Sequence, residues 1–204
     1  MENFIRSATF LFVLLNPFLL SIYLMDLIRD FPMQKFVGVI LRGMGISMAV
    51  FVVFACLGDA VFTKILGVRF ESFLIFGGII FLIVGIQFFF EGTKAMRGLR
   101  GSVGDPAVVV AVPYTIGPGT VSASILAGSR LPLILAVLAI VLTLTVTTVA
   151  IILMKSLHDY VSDRNEKIVE RYIDIVGRAM ALLIGTFAVE MIMQGISAEI
   201  ESLP

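Results

Sequence analysis

The sequence predicts an all-α integral membrane protein with six transmembrane helices, arranged as two inverted three-helix repeats. Three observations lead to this fold class. Of the 204 residues, 59% are apolar and 15% are charged, and the mean hydropathy is +1.06, whereas a water-soluble domain carries about a quarter charged residues. The apolar residues form stretches of roughly 20, the length that crosses a bilayer. Interrupted stretches and glycine pairs also recur about 100 residues apart.

Six apolar segments are bounded by charged or turn residues, and each is long enough to cross the membrane once. Helices are predicted rather than barrel strands because the segments, such as 77–90, do not alternate apolar and polar residues. The first segment is too long for the core of a cleavable signal and is expected to remain in the protein. The predicted spans are approximately residues 4–25, 39–58, 71–91, 107–128, 131–154 and 173–196.

Lysine and arginine are distributed unevenly among the links between these spans. Links one, three and five hold ten of them, whereas the two termini and links two and four hold four. Cytoplasmic loops are enriched in these residues, so both termini are predicted to be extracytoplasmic. The net charge of zero argues against a nucleic-acid-binding surface.

The first and fourth spans contain proline interruptions. The first carries Asn-Pro-Phe at 16–18, and the fourth carries Gly-Pro-Gly at 117–119. A proline inside a helix removes a backbone donor and clashes with the preceding turn. In hydrocarbon, the freed carbonyls must face protein or a water-filled cavity. Helices 1 and 4 are therefore predicted to be discontinuous, with Pro17 and Pro118 facing the interior.

Several features of the first half recur in the second. The two interrupting prolines are 101 residues apart, and two glycine pairs with a spacing of eight recur at an offset of 100: Gly77 and Gly85, then Gly177 and Gly185. Three crossings per half would make the second half enter from the opposite face of the membrane. The sequence therefore predicts inverted repeats over 1–102 and 103–204, a plan found in many secondary transporters.

The helix breaks are the predicted binding site. A half-helix that begins at Pro118 would present free N–H groups and a positive dipole end, which favour a carboxylate. Asn16 is expected to cap the half-helix that begins at Pro17, and carbonyls upstream of each break would suit an ammonium group. This pattern favours a small zwitterion such as an amino acid. The candidate substrate-binding residues are Asn16, Pro17, Phe18, Ser21, Thr115, Gly117, Pro118, Gly119 and Thr120.

Other polar residues have separate candidate roles. Glu190 and Gln87 lie late in spans six and three and are candidates for ion or proton coupling, although Gln87 also suits a hydrogen bond between helices. His158 has no ligand-type residues at metal spacing, so no metal or cofactor is expected. No phosphate loop, nucleophile elbow or paired intramembrane aspartates occur, which argues against an enzyme. The single cysteine, Cys56, is expected to be buried.

These features resemble the MarC family of integral membrane proteins. The resemblance is carried by Asn16-Pro17, by the segment from Pro113 to Thr120 that ends in Gly-Pro-Gly-Thr, and by a six-span layout of about 200 residues. It implies transport of small neutral amino acids, of the glycine and alanine class, across the inner (plasma) membrane of a prokaryotic cell. Relatives typically continue Asn-Pro with Ile-Gly-Asn, whereas this chain has Phe-Leu-Leu at 18–20, which makes the first break bulkier.

The expected function is therefore secondary transport of a small neutral amino acid by alternating access, with or without a coupled H⁺ or Na⁺. The sequence is also compatible with other functions. A passive small-solute channel could use the same broken helices, and a stress-response or scaffold protein would not transport at all. A membrane enzyme would need an acid, base or nucleophile near the midplane, and Glu190 is the one candidate.

Overall fold

A computed structural model describes residues 2–58, 60–91 and 105–201, and within these ranges the chain is helical with no strands. The order of the elements in the described ranges is α1 (Glu2–Leu15), α2 (Pro17–Tyr23), α3 (Met25–Asp30), α4 (Met33–Leu57), a π-helical turn (Val61–Leu66), α5 (Phe70–Glu91), α6 (Pro106–Val109), a second π-helical turn (Val110–Thr115), α7 (Pro118–Arg130) and α8 (Leu133–Glu201).

The first helix is interrupted at Asn16, as the sequence predicts. Helix α1 ends at Leu15 and α2 begins at Pro17, because a proline suits the first position of a helix but not its interior. Asn16 adopts φ 37° and ψ 84°, a left-handed conformation that asparagine tolerates better than most residues. Its side-chain oxygen accepts a hydrogen bond from the Leu19 N–H at 3.2 Å. The break is therefore the start of a new helix, α2, which Asn16 caps.

The region predicted as the fourth span is divided into three pieces. Helix α6 continues into the second π-helical turn, inside which Val112 has the non-helical dihedrals φ −127° and ψ 125°. The chain then extends at Gly117, with φ −122° and ψ 169°, before α7 begins at Pro118. The described residues contain five helices that are long and apolar enough to cross a membrane, with Glu2–Tyr23 counted as one. The sixth crossing, through α6 and α7, stays a prediction.

The helical stretch α8 contains two of these membrane-crossing segments, Leu133–Val161 and Ile175–Ile200. Their contacts with the N-terminal helices show that the chain reverses its direction between the two segments. The first segment lies along the N-terminal helices in the same direction, because its Thr143 hydroxyl contacts the Ala8 carbonyl at 3.3 Å and the Nζ of Lys155 donates to the Ile28 carbonyl at 2.6 Å. Low-numbered residues of this segment therefore pair with low-numbered residues of the N-terminal helices.

The second segment of α8 runs in the opposite direction along the same helices. Gly177 lies beside Ile22, Met180 lies 3.4 Å from the amide nitrogen of Asn16, and Met191 lies beside Gly119. The two segments of α8 are therefore antiparallel to each other, and both are neighbours of the broken first helix. This arrangement positions both breaks in the interior.

Helix α5 packs along the second segment of α8 through small residues. A Cβ at Gly78 would be 2.6 Å from Ile192 Cγ1, and a Cβ at Gly85 would be 3.2 Å from the Gly185 nitrogen. Glycines allow two helix backbones to approach closely in a membrane. In contrast, the expectation for Cys56 is wrong: its side chain is exposed on α4, because none of the elements in the described ranges covers that face of the helix.

Candidate functional site

A cavity of about 200 Å³ lies between the two helix breaks. Its walls come from α1 and α2, from α5, from the residues around the second break and from the second segment of α8. Four of the predicted substrate-binding residues line it: Asn16, Thr115, Gly117 and Thr120. The fold therefore brings the two breaks, about 100 residues apart in sequence, to one place.

Asn16 forms the wall of the cavity on the first break. Its side-chain oxygen is occupied by the Leu19 N–H, and its amide nitrogen lies 3.4 Å from the sulfur of Met180. Sulfur is a weak acceptor, so this amide nitrogen can donate to a stronger acceptor placed in the cavity. Pro17 has no N–H, so the carbonyl of Val13, a lining residue, lacks its helical donor.

The second break is organised by the hydroxyl of Thr120. This oxygen accepts a hydrogen bond from the Gly117 N–H at 2.9 Å and is 2.8 Å from the Thr115 carbonyl, to which it donates. The Thr115 hydroxyl in turn donates to the Val110 carbonyl at 2.8 Å. Thr115 and Thr120 are buried, so these bonds hold the unwound segment in a defined shape.

The remaining predicted residues lie behind the cavity wall. Ser21 donates to the Phe18 carbonyl at 2.6 Å within α2. Pro118 packs against Gly77 of α5, where even a Cβ would overlap the proline ring. Gly119 is buried. Pro17, Phe18, Ser21, Pro118 and Gly119 thus shape the breaks without lining the cavity.

The two coupling candidates lie elsewhere. Glu190 is exposed on the second segment of α8, and its carboxylate accepts a hydrogen bond from Gln194 Nε2 at 2.8 Å. It lines a groove between that segment and α5. Gln87 is exposed on α5. Neither side chain is among the residues that line the cavity between the breaks.

Sequence reasoning missed the aromatic wall of the cavity. Phe81 of α5 and Phe187 of α8 line it, as does Tyr23 at the end of α2. The Tyr23 ring lies 6.5 Å from the Phe88 ring, centroid to centroid, and both rings pack in one cluster with buried Ile22. The one available signal was the position of Phe81 between Gly77 and Gly85, where the helix is closely packed.

Lys155 is buried, unlike a charged residue exposed in a link between two spans. It is 3% exposed, and its Nζ donates to the Ile28 carbonyl at 2.6 Å and to Asp159 Oδ1 at 2.7 Å. The Ile28 carbonyl belongs to the last turn of α3, where carbonyls lack helical donors. Lys155 therefore caps α3 and fixes the continuation of the first broken helix.

The fold and the cavity define an integral membrane protein whose interior contains two broken helices. The chain belongs to the MarC family: the family model described as "MarC family integral membrane protein" matches residues 1–200. The chain is also similar to a UPF0056 membrane protein of Methanocaldococcus jannaschii, with 26% identity over 207 residues that cover 96% of this chain and 97% of the relative. No solved structure matches the chain.

Proposed function

We propose that this protein is a secondary transporter of small neutral amino acids of the glycine and alanine class. The observation that carries the proposal is the cavity of about 200 Å³ between the two helix breaks. None of the described residues that line it is Asp, Glu, Lys, Arg or His. An ion with net charge would therefore find no opposite side-chain charge there, whereas a solute with no net charge would not need one.

The size of the cavity favours a very small solute. Pockets for drug-sized ligands have about 300–1,000 Å³, and one water molecule occupies about 30 Å³. The cavity of about 200 Å³ thus matches roughly six or seven water-sized groups. Glycine has five heavy atoms and alanine has six, so either is small enough to fit.

The polar groups at the breaks favour a zwitterion. Helix α7 begins at Pro118, so the N–H group of Thr120, a residue that lines the cavity, has no acceptor within the helix and, with the helix dipole, favours a carboxylate. The Val13 carbonyl lacks a helical donor because of Pro17 and favours an ammonium group. Donors and acceptors on opposite sides would hold the two ends of one amino acid.

We infer that the chain consists of two inverted repeats, 1–102 and 103–204, whose boundary lies outside the described residues. The burial pattern supports this: all eight buried positions of α4 have a buried counterpart 100 residues later in Leu133–Val161. The directions also support it. Gly58, at the end of α4, lines the same outer cleft as Arg130, which lies just before α8 begins, so the two helices run oppositely. Inverted repeats of this kind are the usual basis for alternating access.

The proposal also includes the membrane setting and the coupling. The surplus of Lys and Arg in links one, three and five favours extracytoplasmic termini. The resemblance to the MarC family implies insertion in the inner (plasma) membrane of a prokaryotic cell. A coupled H⁺ or Na⁺ would act through groups outside the described cavity lining, where Gln87 and Glu190 lie. No catalytic step, cofactor or metal is part of the mechanism.

Transport into vesicles tests this proposal. Purified protein reconstituted into liposomes should take up radiolabelled glycine or alanine, with saturation and with counterflow against unlabelled substrate. Gly119→Leu should abolish uptake, because a Cβ there is already 3.2 Å from Phe81 Cε2. Gly45→Leu is the matched control, because the space around Gly45 is open. Uptake by the Gly119 variant at the normal rate would exclude the site.

Two outcomes distinguish the alternatives. Flux without saturation or counterflow would indicate a channel rather than a carrier. A folded protein whose thermal stability responds to no amino acid, and which shows no flux, would indicate a scaffold or stress-response role.

A further inference from the structure

A second and larger cavity opens at the face of the molecule that holds the N-terminus. We call it the outer cleft; it has a volume of about 690 Å³. Its lining is more polar than that of the central cavity and includes Arg6, Glu71, Arg130 and Gln194. Guanidinium and carboxylate groups on one concave surface attract a small zwitterion through both of its charged ends.

The outer cleft and the central cavity are lined by the same four parts of the chain. Each part contributes three residues in spatial order. The first lines the cleft, the second lies in a layer between the two spaces, and the third lines the cavity. These sets are Phe10, Leu14 and Leu20 in α1 and α2; Leu74, Phe81 and Val84 in α5; Ala123, Gly119 and Gly117 at the second break; and Gln194, Met191 and Phe187 in α8. One thin layer thus separates the two spaces.

Three apolar side chains meet in this layer around Gly119. A Cβ at Gly119 would be 3.2 Å from Phe81 Cε2, 3.4 Å from Met191 Sδ and 3.5 Å from Leu14 Cδ2. Leu14 and Phe81 also form the cavity wall, and Met191 is buried. These side chains come from three different elements, so a small separation of α1, α5 and α8 would open a path between them.

We propose that the outer cleft is the entrance to the central cavity and that Leu14, Phe81 and Met191 form its gate. The inference rests on the proposed function for its substrate, a small zwitterion, but the gate itself is defined by geometry. With the termini outside, the gate would control access from the extracytoplasmic face.

Cysteine labelling tests the gate without any substrate. In a Cys56→Ala background, Ser122→Cys reports on the cleft, which Ser122 lines, and Ile184→Cys reports on the cavity, which Ile184 lines. In lipid nanodiscs, a charged methanethiosulfonate reagent should react quickly with the first and slowly with the second. Adding Phe81→Ala removes much of the layer and should accelerate the Ile184→Cys reaction by at least about tenfold.

Phe76→Ala is the matched control, because Phe76 is on the same helix but is 62% exposed, and it should leave the Ile184→Cys rate unchanged. Met191→Ala is the second gate variant if Phe81→Ala does not fold. Equal reaction rates for the two reporters, or no acceleration by either gate variant, would overturn the gate. Because labelling needs no amino acid, a gate that opens as expected in a protein without glycine flux would contradict the proposed function alone.

Discussion

Replacing Gly77 with alanine is expected to distort the second helix break from outside the cavity. A Cβ at this position would be 2.5 Å from Pro118 Cγ, closer still to Pro118 Cβ, and 3.3 Å from Met191 Cε. Carbon atoms in contact are normally about 3.5–4.0 Å apart, so the proline ring and α5 must separate by about 1 Å or more. Overpacking of this kind costs about 1–3 kcal/mol.

The measured effect depends on whether the break conformation or the helix packing takes up this energy. If the break conformation absorbs it, the affinity for a substrate held at the break should fall by about 5- to 150-fold; if the helix packing absorbs it, thermal stability should fall. Glycine binding by isothermal titration and unfolding monitored in detergent measure the two effects. Gly45→Ala is the control, because it has the same gain in helix propensity but meets no atom within 4 Å. A Gly77→Ala protein with the stability and affinity of the control would refute the packing of Pro118 on α5.

Three further substitutions test the breaks and their supports, each by thermal unfolding. Asn16→Ala should lower the free energy of unfolding by about 1 kcal/mol or more, because it removes the N-cap and places alanine at φ 37°. Asn16→Gly should lower it less, because glycine tolerates that dihedral. A larger loss for Asn16→Gly than for Asn16→Ala would contradict the left-handed cap. Thr120→Val should destabilise by about 1–3 kcal/mol, because it removes the partner of the part-buried Gly117 N–H and of the buried Thr115 carbonyl. Thr120→Ser should retain most of the stability. Lys155→Met should destabilise the fold by about 1–3 kcal/mol through the unpaired Ile28 carbonyl, and unchanged stability would show that the cap on α3 contributes nothing.

The helix breaks could be predicted because their cause is local. Pro17 and Pro118 lack an N–H whatever the surroundings, so a helix cannot continue through either residue without losing a hydrogen bond. Asn16 as a cap follows from the same local chemistry, and the structure places it there. The number of crossings was harder to predict, because residues 107–128 are apolar enough for a span while their backbone departs from the helix at Val112 and Gly117.

The direction of a side chain could not be predicted in the same way. Glu190 lies in an apolar helix, where an ionisable group suggests an interior role. It is instead exposed in the groove between α5 and the second segment of α8, because Gly185, Ala188 and Ile192 make the close contacts with α5. Cys56 is exposed for the same type of reason. Every face of a membrane helix is apolar, so hydropathy does not distinguish the lipid-facing side from the packed side.

The sequence by itself determined that this chain is an integral membrane protein with breaks at residues 16–18 and 117–119, because composition and the missing proline donors act at each position independently. The tertiary structure alone decided that the two breaks meet at one cavity, that Phe81 and Phe187 complete its wall, and that Leu14 and Met191 lie beside Gly119. These contacts join residues far apart in the chain. They depend on how closely glycine-containing helix faces approach, which no local pattern specifies.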